Sequence, residues 1–594
     1  MVAWRNRRSQ SLYLNSDLLD LLLAAAGSLL LTVAGGPRPA AAQVNPVAAP
    51  TSPVVQADQA VQNPEIRVGI VQRFGEEADD ELTIEPLTGD RLTLTFKTGA
   101  QVQTVTAPQV KLDIAMQPLP KPALQERIVL STHRSFESAE DSANQWQQRG
   151  IEVEIAQPSS WEVWAKREVY STPLLRRLLL KNLQAGGFDQ AYLDSQIVTA
   201  VPKAAFTANG YRYSRDRVEI TSANRRIRVV GGESSGDRKL YGGDLMLQPN
   251  TYGTYTLVND VAIETYLRGV VPYEIGLGAP PTTIEAQAIL ARTYALRNLR
   301  RFAIDDYQIC ADTQCQVYFG ISGAATASDR AITATQGLVL TYENELIDAL
   351  YSSTTGGITA RFSDVWNGPD RPYLQSVVDS VQPIWNLSQK PLSEEANVRA
   401  FLALDQGFNE DDWDLFRWQG ESDLSEIAQD LKTYLQKQQH PLADFTQVKQ
   451  LQVAERSAGG RVQKLLIQTD VGTVELEKDE VIRALAVPRS LLFYINPIYQ
   501  APPSAAASAA ANPAASPAAS PVASVLKGYQ FVGGGWGHGV GMSQTGAYHL
   551  GELGWSAARI VQFYYPNTEL KPISRELVFW RSPEPPAASA NSLP

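Results

Sequence analysis

Three scarcities bound what this chain of 594 residues does. It has two cysteines, Cys310 and Cys315, which excludes a disulfide-framework protein. It has no basic block, and its formal charge of −11 is wrong for a general nucleic-acid binder. It has one long apolar run, residues 18–33, and nothing after it is long and apolar enough to cross a bilayer. Arg5, Arg7 and Arg8 precede that run, and Ala40, Ala41 and Ala42 follow it, ahead of Gln43. This is the order of an export signal, so residues 1–42 read as a signal peptide cut after Ala42, with an uncleaved N-terminal anchor as the second reading. The body of the protein is expected outside the cytoplasm, in the periplasm or cell wall.

What is present divides the chain. Residues 43–64 are mostly Ala, Pro, Val and Gln and read as a disordered linker, as do the Ala/Pro-rich loop 500–524 and the tail 581–594. The length between them fits several domains. In 65–126 an apolar run (Ile66, Val68, Ile70) and an alternating one (Leu92, Leu94, Phe96) predict a small β unit. Residues 127–197 read as an insert with a repeat. A strand leads through Ser135 into a helix with Phe136, Ala139, Ala143 and Trp146 on one face, closed by Gly150; Val153 and Ile155 then alternate. The pattern recurs with Trp161, Val163 and Ala165 as strand, Thr172 as cap, Pro173 at the first helical position and Leu175, Leu178, Leu179 and Leu183 as the apolar face. Residues 198–499 and 525–580 are again β-rich, and from Asp379 to Phe493 they read as scaffold, with Leu424, Ile427, Leu431 and Leu435 on a helix.

Four stretches carry chemistry. Val270, Val271, Pro272 and Tyr273 form a strand-like apolar run that delivers Glu274 to a Gly/Pro loop. After it, Thr282 and Glu285 predict a capping box, and Ile284, Ala288, Ala291 and Ala295 a helix face that packs closely. A Glu at such a junction, beside Tyr273 and Ile275, is half desolvated, which raises its pKa toward that of a general acid; the alternative is a solvated carboxylate on a helix-approach loop. Glu264 competes with it but stands where a helix or turn begins, a structural position. The hydroxyl run Ser352, Ser353, Thr354 and Thr355, closed by Gly356 and Gly357, suits a sugar or an ordinary loop. Between Gly533 and Ala547 seven glycines surround Trp536 and His538, a backbone cost that implies close approach or unusual dihedrals. No Lys follows them, which disfavours a phosphate loop.

In order, VVPYEIG with EAQAILARTYAL, CADTQCQVYFG, SSTTGG, and GGGWGHGVGMSQTGAYHL with YYPNTEL resemble the SpoIID/LytB family over residues 66–570. The 127–197 unit resembles a SPOR domain, which binds peptidoglycan glycan strands stripped of peptides. The fold so implied is α+β: a β-rich SpoIID-like catalytic domain forming a cleft, with a small inserted α/β domain of βαβ repeats and disordered linkers. The resemblance implies a lytic transglycosylase that cleaves MurNAc–GlcNAc bonds, with Glu274 at the position of the family's acid. The alternative is a non-enzymatic, peptidoglycan-binding amidase enhancer. One carboxylate suffices for the first, because the sugar's own C6 hydroxyl replaces the water that a hydrolase activates with a second carboxylate.

Residues expected at the substrate are Tyr273, Arg292, Ser352, Ser353, Thr355, Gly356, His538, Ser543 and Gln544, with His538 equally suited to holding its Gly-rich turn by a backbone hydrogen bond. Family members that carry zinc have two Cys and two His in the cysteine segment; here Gln314 precedes the second Cys, and two thiolates are too few for a structural site. For Cys310 and Cys315 a disulfide therefore ranks first, free thiols second and a zinc site completed by distant residues third, with Asp312 and Gln316 as further cleft-lining candidates. No cofactor is required by this chemistry. Expected partners are peptidoglycan glycan strands and an N-acetylmuramoyl-L-alanine amidase, with no nucleic acid and no membrane beyond the signal segment.

Overall fold

The computed structural model describes residues 63–231, 238–438, 440–500 and 525–581. The expected signal peptide and nearly all of the first linker, of the Ala/Pro-rich loop and of the tail lie outside the described residues. No described helix is long and apolar enough to cross a membrane.

Alternation builds the first sheet: Leu92, Leu94 and Phe96 are buried while Thr93 and Thr95 between them are less so. It has seven strands in the order Ile309–Cys310, Glu65–Phe74, Tyr255–Ala262, Asp244–Pro249, Val218–Ser222, Leu92–Thr98 and Gln101–Ala107. Neighbours pair antiparallel except at one edge, where Val68 and Gly69 lie parallel to Ile309 and Cys310.

The insert is a β-α-β-β-α-β unit, with helices α1 (Phe136–Gln148) and α2 (Pro173–Ala185) over strands in the antiparallel order Tyr192–Ala208, Val110–His133, Trp161–Ala165, Val153–Ala156. Its two long strands pair from Val110 opposite Ala208 to Val129 opposite Tyr192. They run straight through 127 and 197, so the expected boundaries fall inside one continuous ribbon. Ser135 and Thr172 cap the two helices with their side chains, and the expected face of α1 is buried. The face of α2 is a correction: Leu175 and Leu178 are 44% and 49% exposed, and only Leu183 is buried. Arg176 and Arg177 reach the carboxylate of Glu126, at 3.3 and 2.6 Å, and Arg176 shares the packed side of the helix with Leu179, Leu180 and Leu183.

Two further corrections concern the central stretch. The strand-like run is a short helix, α3 (Val271–Ile275), whose Glu274 amide donates to the Val270 carbonyl (3.0 Å) and which stops at Gly276, φ +74°. A short apolar run does not distinguish a buried strand from a buried helix. The long helix that follows, α4 (Pro281–Arg297), is capped at Pro280 with no side-chain cap. Pro281 takes the first helical position, where a missing N–H costs nothing, so Thr282 lies inside the first turn and no capping box forms. Ile284, Ala288, Ala291 and Ala295 of α4 join the core of the first sheet. Its other side, Ala286, Ile289, Leu290 and Tyr294, joins a second core with Leu350, Val540, Ala547 and Ile560. A helix apolar all round is an interior helix, and α4 is the wall shared by both cores.

Candidate functional site

Glu274 sits on the last turn of α3, against the tyrosines of both cores. Its Oε1 accepts a hydrogen bond from the Val317 amide at 2.9 Å. Gln544, the first residue of helix α5 (Gln544–Glu552), donates from Nε2 to the Glu274 carbonyl at 2.8 Å, and the Tyr548 hydroxyl of α5 donates to the carbonyl of Ile275. Some of Glu274 reaches solvent, yet its carboxyl is crowded. Burial raises its pKa from 4.5 to about 7, against the opposing pull of the Val317 amide and the Tyr351 and Gln544 side chains. No cation and no second carboxylate is among these causes. Behind the carboxyl, Tyr266 donates to Gln316 Oε1 (3.1 Å), and Gln316 Nε2 donates to the Tyr351 hydroxyl (3.0 Å). This buried chain fixes Tyr351 beside the acid.

Tyr273 is 37% exposed, with its ring edge on Phe319, 5.0 Å between centroids. It and Gln544 are the expected substrate residues that the structure brings to Glu274. Arg292 is a correction. It is fully buried and forks onto Glu264 at 2.8 and 2.7 Å, a scaffold ion pair that also receives the Gly337 amide. Ser352 is buried against the Gly-rich loop, and the backbone carbonyl of Ser353 accepts from the amide and hydroxyl of Thr545. Thr355 and Ser543 are also corrections: both are buried and donate their hydroxyls to Glu410. Gly356, φ +73°, packs its backbone against that of Gly534 and Gly535, so close that a Cβ would lie 2.4 Å from the Gly534 carbonyl carbon. The glycines serve loop-to-loop contact. His538 packs on Trp366, and its Nδ1 accepts from the Val540 amide (3.0 Å); burial lowers its pKa to about 4, so the ring is neutral and holds the turn.

Cys310 and Cys315 form a disulfide. The Asp312 carboxylate accepts from the Gln314 amide within that loop, while Gln314 Oε1 accepts from Gln157 and Trp161 of the insert at 2.6 and 3.1 Å. Among the described residues no three His, Cys, Asp or Glu gather as a metal site. A groove of about 460 Å³ between Lys449, Leu451, Ile495, Pro497 and Tyr499 lies elsewhere and shares no residue with the Glu274 neighbourhood. Sequence reasoning missed Tyr351, Asp379, Glu410 and Arg461, which hold the site from behind. Tyr351 had a signal, since it precedes Ser352 in the hydroxyl motif; Glu410, in an Asn-Glu-Asp-Asp run, had none.

Residues 251–342, which include Glu274, α4 and the disulfide, match the family model described as Stage II sporulation protein. Residues 360–541 match one described as a domain of unknown function (DUF8618), and the insert lies outside both. The chain is 28% identical over 317 residues to the amidase enhancer of Bacillus subtilis (strain 168), covering 51% of this chain and 40% of that protein. It is 31% identical over 135 residues to stage II sporulation protein D of Bacillus amyloliquefaciens, 20% of this chain and 39% of that one. An uncharacterized protein of Brachyspira hyodysenteriae is 24% identical over 56% of this chain and 73% of its own length. The chain thus spans about 40% of the length of the two Bacillus relatives. The segment that carries Glu274 thus matches the Stage II sporulation protein family model, and the chain is similar to relatives named amidase enhancer and stage II sporulation protein D.

Proposed function

We propose that the protein remodels peptidoglycan as a lytic transglycosylase, cutting between MurNAc and GlcNAc of glycan strands stripped of their peptides. The observation that carries this reading is Glu274, a lone carboxyl with a pKa of about 7 among neutral donors. Near neutral pH a large share of it is protonated and able to protonate the glycosidic oxygen. As the C1–O bond breaks, the C6 hydroxyl of the same sugar attacks C1 and gives its proton to the Glu274 carboxylate. One bond forms, one breaks, the acid is restored, and neither water nor a cofactor is consumed. A hydrolase would need a second carboxylate to activate water or attack the sugar. Val317, Tyr351 and Gln544 stabilise the transient carboxylate with donors that carry no charge. Tyr273 offers an exposed ring for a pyranose face. In the same proposal the insert acts as a SPOR-like glycan holder, and the chain is exported to the periplasm or cell wall.

The name of the Bacillus subtilis relative favours a second reading, in which the protein binds peptidoglycan and enhances an amidase without cutting glycan. Digestion of amidase-treated glycan strands separates the two. The transglycosylase produces 1,6-anhydro ends by mass spectrometry, and the Glu274→Gln protein does not. No such ends from the wild type, together with faster peptide release by an added amidase, establishes the enhancer.

A further inference from the structure

Asp379 and Glu410 are buried carboxyl groups with no part in the chemistry above. They hydrogen-bond to one another, and two carboxyls do so only with a proton between them. Their surroundings say which one carries it. Glu410 accepts from the Thr355 amide (2.6 Å), the Thr355 hydroxyl (3.0 Å), the Gly357 amide (2.7 Å) and the Ser543 hydroxyl. Asp379 accepts from Asn409 Nδ2 (2.8 Å) and from the Tyr564 hydroxyl, 2.9 and 3.1 Å to its two oxygens. Two buried cations act on Glu410: Arg417, which donates to the Gly356 carbonyl, and Arg461, which donates to the carbonyls of Thr355 and Ile358. Asp405 and Asp364 stand behind these arginines. With four donors and two cations on the Glu410 side, the proton lies with Asp379. Burial and the Glu410 charge accordingly push the pKa of Asp379 well above its ordinary value.

Glu410 is also a junction. It ties the Thr355–Gly357 loop to Ser543, whose hydroxyl in turn receives the Gly546 amide and caps α5. The next residue, Gln544, reaches Glu274. Residues 351–352 pair in parallel with 542–543, so the same tie sets Tyr351. We infer that Glu410 is a positioning residue that staples the hydroxyl loop to the Gly-rich loop and so places Gln544 and Tyr351 on Glu274. This rests on the acid role proposed for Glu274, but its test does not need that activity.

The test reads the folded pKa of Glu274 from the pH dependence of the Tm difference made by Glu274→Gln, measured on the full chain in three backgrounds. In the Glu410→Gln background an amide N–H₂ meets the N–H of Thr355 or Gly357, the staple opens, and Glu274 loses donors that lower its pKa. That pKa is expected to rise by roughly half a unit or more. Asp379→Asn keeps the pattern, with N–H₂ toward Glu410 and oxygen toward Tyr564, and leaves the Glu274 pKa in place. An equal shift from both substitutions, or no shift from Glu410→Gln, overturns the inference. Should Glu410→Gln fail to fold, Ser543→Ala cuts the same tie at its other end and must raise the Glu274 pKa; no rise overturns the inference. Where anhydro ends are formed, Glu410→Gln lowers kcat on the order of ten- to a hundred-fold with little change in KM. If the wild type forms none, the transglycosylase reading fails while the shift stands or falls by itself.

Discussion

Glu264 and Glu274 stand on consecutive short helices, Ile263–Leu267 and Val271–Ile275, on the same side of α4, and the protein uses them in opposite ways. Glu264 receives the fork of Arg292 and is spent on an ion pair of the scaffold. Glu274 receives one amide and two neutral side chains, and burial leaves it titrating near neutrality. The difference teaches that desolvation leaves a carboxyl titrating near neutrality only where no cation stands beside it.

The largest expected effect comes from removing the proton itself. Glu274→Gln should cut anhydro-end formation by about 10²- to 10⁴-fold, read by mass spectrometry, with the fold retained. Its stability effect has a definite sign. The folded pKa of about 7 lies above the ordinary value of 4.5, so the folded state binds more protons between them and loses stability as pH rises through that window. The Tm of the Glu274→Gln protein relative to the wild type should therefore climb from pH 4.5 to 7 and level off above. Arg292→Met breaks the other member of the comparison, leaving Glu264 buried without its cation. A loss of about 3–5 kcal/mol in denaturant unfolding is expected, without a change in the pH profile of the remaining activity.

Gln544→Lys tests the comparison more finely by giving Glu274 the kind of partner that Glu264 has. A cation there should lower the Glu274 pKa by about 1–3 units, so activity at pH 7 falls and recovers on acidification. A pH–rate profile that keeps its alkaline limb near 7 would refute the electrostatic account. The smallest effect is expected from Tyr351→Phe, which removes one neutral donor and should move that limb up by roughly half a unit.

Local features were legible in the sequence. Ser135 and Thr172 cap the two insert helices as read, and Phe136, Ala139, Ala143 and Trp146 face inward, because a cap or a helix face depends on residues within a few positions. The four chemical motifs were also legible, Glu274 among them. Errors arose where a distant partner decided. On α2, Leu179 and Leu183 pack inward, while Arg176 reaches Glu126 from the packed side and Leu175 and Leu178 are left exposed. Arg292 reads as a substrate residue until its partner on another helix is in view. Thr355 and Ser543 resembled sugar-binding hydroxyls, yet both are spent on Glu410, which nothing in its own neighbourhood marks as buried.

By itself, then, the sequence determined the motifs, the local caps and the identity of the candidate acid, since these follow from short-range hydrogen bonding and side-chain pattern. Which carboxylate is spent on an ion pair, which is held as a staple and which titrates near neutrality was decided only by the tertiary structure. Protonation depends on desolvation and on charges within a few ångströms, and for Glu264, Glu274, Asp379 and Glu410 those neighbours come from remote parts of the chain.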